Sequence, residues 1–510
     1  MINNKIIVII CILVYSLHIN AQDRRGYTVI YGGSADYLKF SGDTSMPQTG
    51  HYFPFVPIKI FGNATSNICD SFSGGLRMLC NGYILYDTVG NIIENGDTLV
   101  NTKLYNSNCC PSSGIYTQGS IILPKGSNNQ YYLFNVSVTD SMFTYWNTNP
   151  FGDGRFPFDI LQYHVVDMNA NAGMGKVIQK KKIILENQEL NITGMMACKH
   201  ANGYDWWLLK QGANANTIYT FLVTKDTVLF DTVQTFPQPI FGYYGIAGQS
   251  CFNSDGSKYV FATGGGFLNN QGAHLFIADF DRCYGVLSNV KEIKVPYDST
   301  HTILDTLWQC MDSLITGVCF SPNDSFLYIS RRYNMYQYDL HEADSVLAMY
   351  LIPQIPPVVG DVEKGHLQLG IDGRIYIGKL SGSGSYNSLI HKPNNKGMAC
   401  NFCKVCLYCD SCDFTMSLSN MPNFNMPKKE PCYPLANGEI QKDIEELDIY
   451  PNPSSTVCII KNKQGKKKEL YNVLGELLFS TKEDEIDVRH LAKGMYYLRC
   501  ENEVKKVIIE

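Results

Sequence analysis

From about residue 27 to residue 430 the chain repeats one motif: an apolar, aromatic-rich strand, a tight polar turn and a second strand. The turns are Asn-Gly, Asp-Gly or Asn-Asp pairs, as in Leu79-Cys80-Asn81-Gly82-Tyr83-Ile84, Phe252-Asn253-Ser254-Asp255-Gly256 and Leu369-Gly370-Ile371-Asp372-Gly373. Short alternating runs closed by such pairs read as β-hairpins, and no long helical periodicity interrupts them. Unit starts fall near residues 79, 120, 195, 250, 318 and 367, about 40 to 75 residues apart. A small sheet repeated at that interval cannot bury both faces alone. Packing the sheets face to face around an axis does bury them, which predicts an all-β fold, a β-propeller. Tyr27 to Phe40, together with the segment after Cys412, can close a seventh unit, so about seven blades are expected. A β-helix would need much shorter turns.

Both ends of the chain read as addresses. Lys5, the apolar run Ile6 to Leu17 and Ala21 describe a secretory signal peptide over residues 1–21. Cys11 sits inside the apolar run and Arg24-Arg25 lie beyond the cut, so neither a lipoprotein nor a twin-arginine signal fits. No apolar run reaches the ~18 residues of a membrane-spanning helix, and no transmembrane span is expected. A net charge of −5 without a basic stripe predicts no nucleic-acid partner. The propeller is expected over 22–432 and a Pro- and Lys-containing linker over 433–445. From Asp443 onward 24 of 68 residues are charged, against 17% for the whole chain, which marks a second domain over 446–510. Its short strands and Gly turns predict a small β-sandwich. The basic cluster Lys461, Lys463 and Lys466 to Lys468 is expected as a solvated turn.

The tail carries, in order, Tyr450-Pro451-Asn452-Pro453, Leu470-Tyr471-Asn472-Val473-Leu474-Gly475, Ile486-Asp487-Val488, Gly494-Met495-Tyr496-Tyr497-Leu498 and Val504-Lys505-Lys506-Val507-Ile508. This series resembles the type A C-terminal sorting domain of the type IX secretion system of Bacteroidetes. The resemblance implies that Pro451, Asn452, Pro453, Gly475 and Gly494 belong to the sorting motif and that the secretion machinery is a partner. It further implies outer-membrane export, removal of the domain, and either surface attachment or release. Cys319-Phe320-Ser321-Pro322-Asn323-Asp324-Ser325 resembles the turn of YVTN- and WD40-like propellers, with Asn-Asp-Ser where Asp-Gly is usual. That family implies no reaction.

Signatures of catalysis are missing from the sequence: it has no H-E-x-x-H, G-x-S-x-G, Walker or dinucleotide motif, and no cofactor is expected. His200 and Asp205, beside Trp206 and Trp207, could form an acid–base pair, but a hydrogen-bonded brace of the blade is the simpler role. Asp279 and Asp281 share a strand face, where an Arg or backbone partner is expected rather than a dyad. Gly264-Gly265-Gly266 and Ser381-Gly382-Ser383-Gly384-Ser385 read as loops, and Asp153 and Asp159 as an ordinary surface loop. Of 18 cysteines one leaves with the signal, and Cys400, Cys403, Cys406, Cys409 and Cys412 recur every third residue. A period of three suits neither a strand face nor a helix stripe, which predicts an irregular loop. Disulfides are the default there, with Cys432 or the vicinal Cys109 and Cys110 as further participants; a metal held by the five, or partly free thiols, are the alternatives. The expected function is non-catalytic binding or adhesion, to a glycan or a protein. The alternative is an extracellular hydrolase or lactonase-like enzyme with its site on the propeller loops.

Overall fold

The structure, a computed structural model, describes residues 22–510 apart from 34–35, 52–64, 107–117, 127–128, 149–157, 214–216, 237–247, 263–272, 297–314, 332, 354–363, 380–384, 411, 413, 430–431, 433–446, 462–464, 473–475 and 501–502. The signal segment, Cys109, Cys110, Asp153, Gly264 to Gly266, Ser381 to Gly384 and the linker therefore lie outside the described residues. The chain divides into two compact units, 1–432 and 433–510.

In the first unit the described strands form seven antiparallel sheets in chain order. Blade 1 is composite: Thr28–Gly33, Asp36–Lys39 and Gln48–His51 are joined by Phe414–Leu418 from the far end, with Tyr31 opposite Leu418. Blade 2 has three described strands, Ser66–Cys69, Leu76–Cys80 and Leu85–Tyr86. Blades 3 to 7 are four-stranded meanders that start at Ser120–Pro124, Leu190–Lys199, Ser250–Phe252, Ile315–Phe320 and Leu367–Leu369. The first strands of blades 2 to 7 pack on one another in succession. Blade 7 meets blade 1 where Arg374 donates to the carbonyls of Thr44 (2.7 Å) and Ser45 (3.2 Å), and Tyr376 sets its ring edge-on to Phe40. The ring is thus a seven-bladed propeller. Blade 2 opens at Ser66, so the hairpin at Asn81-Gly82 joins its second and third strands; Ser-Asn-Ile-Cys holds too little apolar surface to be read as a strand.

Burial follows position within a blade. Trp206–Gly212 is buried at every residue because neighbouring blades cover both its faces, while the outer strand Val228–Thr235 is buried at none. The axis is filled by neutral amides. Gln118 exchanges two 2.8 Å hydrogen bonds with the backbone of Ser250, clasping blade 3 to blade 5. Gln249 donates to the Leu367 carbonyl (2.8 Å) and accepts from the N–H groups of Val318 and Leu367 (3.0 Å each). Asn420 donates through its side chain to the carbonyls of Ser120 (3.0 Å) and Met195 (2.9 Å), and through its backbone to Thr65 (2.8 Å). These amides satisfy backbone groups that the innermost strands leave unpaired, and in blade 4 the buried Lys210 amine does the same for the Asn191 (2.6 Å) and Thr193 (2.5 Å) carbonyls.

The second unit is a sandwich of a three-stranded and a four-stranded sheet. Leu447, Ile460, Leu470, Ile486, Leu498 and Val507 fill the space between them. Asn452, in the Pro451-Asn452-Pro453 turn, donates to the Lys506 carbonyl (2.7 Å) and accepts from the Ile508 N–H (2.8 Å), so it fixes the last strand. Gly494 opens the strand Gly494–Cys500, and Gly475 lies outside the described residues. Lys468 departs from the expected solvated turn. Its side chain is fully buried and pairs with Asp484 at 2.6 Å, because the strand that starts at Lys468 turns that residue inward.

Candidate functional site: the axial mouth

Beneath the blocked axis, on the face that carries the turns between first and second strands, lies a cavity of about 300 Å³. Its wall comes from blades 4 to 7, from Val29 of blade 1 with Gln22 and Gly26 ahead of it, and from the segment Met421-Pro422-Asn423-Phe424-Asn425. That segment leaves the last propeller strand and crosses the mouth as a strap. Asn423 donates to the Ser254 carbonyl (3.1 Å), Lys199 donates to the Phe424 carbonyl (2.8 Å), and Asn425 exchanges hydrogen bonds with the backbone of Asp23 (2.8 and 2.9 Å). The strap ends at Cys432, which is bridged to Cys283 in blade 5 (Cα–Cα 5.5 Å). The strap lies inside the 22–432 span expected for the propeller, and its apolar residues Met421, Phe424 and Met426 are all buried.

The lining is amide, hydroxyl and apolar: Gln22, Gln368, Asn253 and Ser254 stand among Phe252, Ile371 and Phe424. Among the described lining residues there is no carboxylate, histidine, lysine or arginine. Two thiols are present, and burial pushes Cys319 up to about 12 and Cys251 well above the usual range, so neither is a thiolate nucleophile near neutral pH. Asp324 lies just outside the cavity. It takes the left-handed turn position (φ 57°), and its carboxylate accepts from the Ser254 N–H (3.0 Å), the Ser254 hydroxyl (2.5 Å) and the Asn253 amide (3.1 Å). The Asn-Asp-Ser departure therefore ties the turn of blade 6 to that of blade 5.

Residues singled out from sequence resolve into braces. The His200 and Asp205 side chains make no bond to one another: His200 Nδ1 accepts from the Asn202 N–H (3.0 Å) and Nε2 donates to the Cys283 carbonyl (3.1 Å), while Asp205 accepts from the Asn202 amide (2.8 Å). Trp207 donates to the Arg282 carbonyl (2.8 Å). Arg282 itself is buried and spans two blades, donating to the carbonyls of Lys199 (2.7 Å), Asp255 (2.8 Å) and His200 (3.4 Å). Asp279 pairs with Lys258 (2.9 Å) and Asn289 (2.8 Å), whereas Asp281 accepts from the N–H groups of Cys283 and Tyr284. Asp159 is buried rather than on a surface loop, and it accepts from the N–H and hydroxyl of Thr139 (2.7 and 2.6 Å) ahead of a short helix.

The cysteine run is not the irregular loop its spacing predicts. Cys400 ends a short 3-10 turn, and Cys403 and Cys406 lie on Phe402–Tyr408, the outer strand of blade 7. Against its neighbour the register jumps from Leu389 opposite Cys403 to Asn387 opposite Leu407, so two residues face four. In a regular strand, residues three apart stand roughly 10 Å apart. This bulge brings the Cys403 and Cys406 Cα atoms to 5.7 Å, and the two are bridged. Cys409 and Cys412 form a second bridge (Cα–Cα 5.2 Å), and Cys400 is a buried free thiol.

Residues 448–510 match the secretion system C-terminal sorting domain family. No curated protein matches the chain. Among solved structures it is similar to a 6-phosphogluconolactonase-like protein of Bacteroides uniformis, at 9% identity over 77% of this chain and 98% of that one, with a TM-score of 0.40. A quinonprotein alcohol dehydrogenase-like protein of Bacteroides thetaiotaomicron is 11% identical over 78% of this chain and 79% of that one (TM-score 0.36). The β-propeller domain of Cps50 (Swd1) from Myceliophteria thermophila is 10% identical over 70% and 94% (TM-score 0.32). These likenesses carry nothing about chemistry, and the propeller assignment rests on the seven sheets and their closure.

Proposed function

With a type IX sorting domain at residues 448–510 as premise, we propose that this chain is a surface-displayed or released propeller that binds a glycan at its axial mouth without transforming it. The observation that carries this is the lining of the mouth. Neutral amides and hydroxyls set beside an aromatic face suit a neutral, hydroxyl-rich ligand: the amides meet its hydroxyls, and Phe252 meets its C–H face. Gln368, on the first strand of blade 7, is the group we place nearest the ligand.

The test is binding of the secreted propeller to a glycan array, followed by calorimetry on the best ligand. Gln368→Trp fills the mouth and should weaken binding at least tenfold with an unchanged thermal midpoint. Undiminished binding by that variant places the ligand elsewhere and overturns the assignment.

Export is tested separately by intact mass of the secreted material. A mature N-terminus at Gln22 and loss of the chain beyond the 433–445 linker are expected. Secreted product that still ends at Glu510 would overturn removal of the sorting domain.

A further inference from the structure

We propose that His391, Cys403 and Cys406 form a site for a thiophilic divalent cation, of which Zn²⁺ is the type, once the Cys403–Cys406 bridge is reduced. Bridge and metal are then alternative states of one site. The placement follows from register. His391 comes directly after Tyr386–Ile390, the third strand of blade 7, and Leu389 lies opposite Cys403. His391 and Leu389 are two residues apart, so His391 and Cys403 share a face as diagonal neighbours. The bulge in the outer strand then swings Cys406 to the same spot.

The ligand atoms of all three lie within 4.8 Å of one another. One ion spans that distance at about 2.3 Å to sulfur and about 2.0 Å to imidazole nitrogen, and C-x-x-C is a zinc-ligand spacing. His391 and Cys403 are partly buried while Cys406 is exposed, so a fourth position faces solvent. Two thiolates, one imidazole and a water make an open tetrahedral site, neutral in charge when the ion is divalent. The Cys409–Cys412 pair is buried, and no histidine accompanies it among the described residues. Of the two C-x-x-C bridges, this singles out Cys403–Cys406.

Opening the site takes a two-electron reductant, a dithiol or a phosphine. A dithiol gives up two electrons and two protons and becomes a disulfide. A phosphine gives up two electrons and takes oxygen from water, whose two protons go to the sulfurs, and becomes a phosphine oxide. Either way the S–S bond breaks and Cys403 and Cys406 become thiols. Binding the cation then releases the two thiol protons, and the neutral imidazole donates its lone pair.

The test uses the whole mature protein, reduced with a phosphine, freed of it without oxygen, and titrated with Zn²⁺ against a chromogenic chelator. Alkylation and mass mapping then locate the metal. Uptake of one Zn²⁺ is expected only after reduction, with Cys403 and Cys406 alkylated in the metal-free protein and shielded by Zn²⁺, while alkylation of Cys409 and Cys412 is the same with and without the metal. His391→Ala and the milder His391→Asn should each weaken uptake at least about tenfold, the lower bound even for a residue that only supports a ligand. The thermal midpoint of the unreduced variants checks their folding. No uptake by the reduced protein, Zn²⁺-dependent shielding at other cysteines instead, or undiminished uptake by both histidine variants would each overturn the site.

Discussion

Arg282→Met should lower the unfolding free energy of the propeller by about 3–5 kcal/mol, read as a lower chemical-denaturation midpoint at constant slope. Among the described residues no carboxylate pairs with Arg282. Its guanidinium is held by three main-chain carbonyls, two from blade 4 and one from blade 5, while its own carbonyl accepts from Trp207 and from the Ala201 N–H. Methionine fills part of the volume but donates nothing, which leaves buried acceptors that each cost about 1–3 kcal/mol. Arg282→Lys separates geometry from charge. An ammonium keeps the charge but cannot fork toward three carbonyls, so an intermediate loss is expected. A loss below about 1 kcal/mol for the methionine variant would show that the blade 4–blade 5 seam does not depend on this side chain.

The propeller should also be acid-labile well above the carboxylate range. Burial, helped by the charges of Lys180 and Lys181, holds His164 down to about 3, and burial holds His366 down to about 4. His164 has both nitrogens committed: Nδ1 accepts from the Lys181 N–H and Nε2 donates to the Asn135 side-chain oxygen, each at 3.1 Å. A second proton would set N–H against N–H. In the unfolded chain both imidazoles titrate near 6.5. Above that pH they are neutral in both states and contribute no slope. Below it only the unfolded chain takes up protons, so stability falls as pH falls, by about 1.4 kcal/mol per unit for each histidine until its folded value is reached. From pH 6.5 to 4.5 the pair should cost about 5 kcal/mol. Lys210 does not disturb this window. Burial lowers it to about 7, so it is protonated in both states at acid pH and instead raises stability as pH climbs from about 7 to its unfolded value near 10.5. Urea titrations between pH 4.5 and 7 check the slope. His164→Gln with His366→Gln should flatten it, and an unchanged slope in that double variant would assign the effect to other groups.

The parts of this fold that could be read from sequence are those with a local cause. Asp-Gly pairs at 255–256 and 372–373 sit at turns because the glycine φ is positive (+73° and +79°), and at Gly256 a Cβ would also meet Cys198 and Met426 within 2.8 Å. What stayed hidden depends on partners far along the chain. Nothing near Arg282 announces that carbonyls rather than a carboxylate receive it. The sequence His164-Val165-Val166 looks like any strand until its neighbours close over it. Likewise, a period of three in the cysteines excludes a regular strand, and only the bulge against Asn387 and Leu389 shows that an irregular strand accommodates it. The mouth was the least legible feature, since it is assembled from five blades and a strap that belongs to no repeated unit.

The composite first blade sets an order of assembly. Tyr31 and Leu418, which face each other in it, are 387 residues apart. Such a pairing pays its loop-closure entropy late, after the intervening contacts exist. A chain that emerges N-terminus first therefore presents six blades and an unfilled edge until the Phe414–Leu418 strand arrives. Completion of the ring thus waits for the last strand of the propeller, which ends 30 residues ahead of the segment 448–510 that matches the sorting domain.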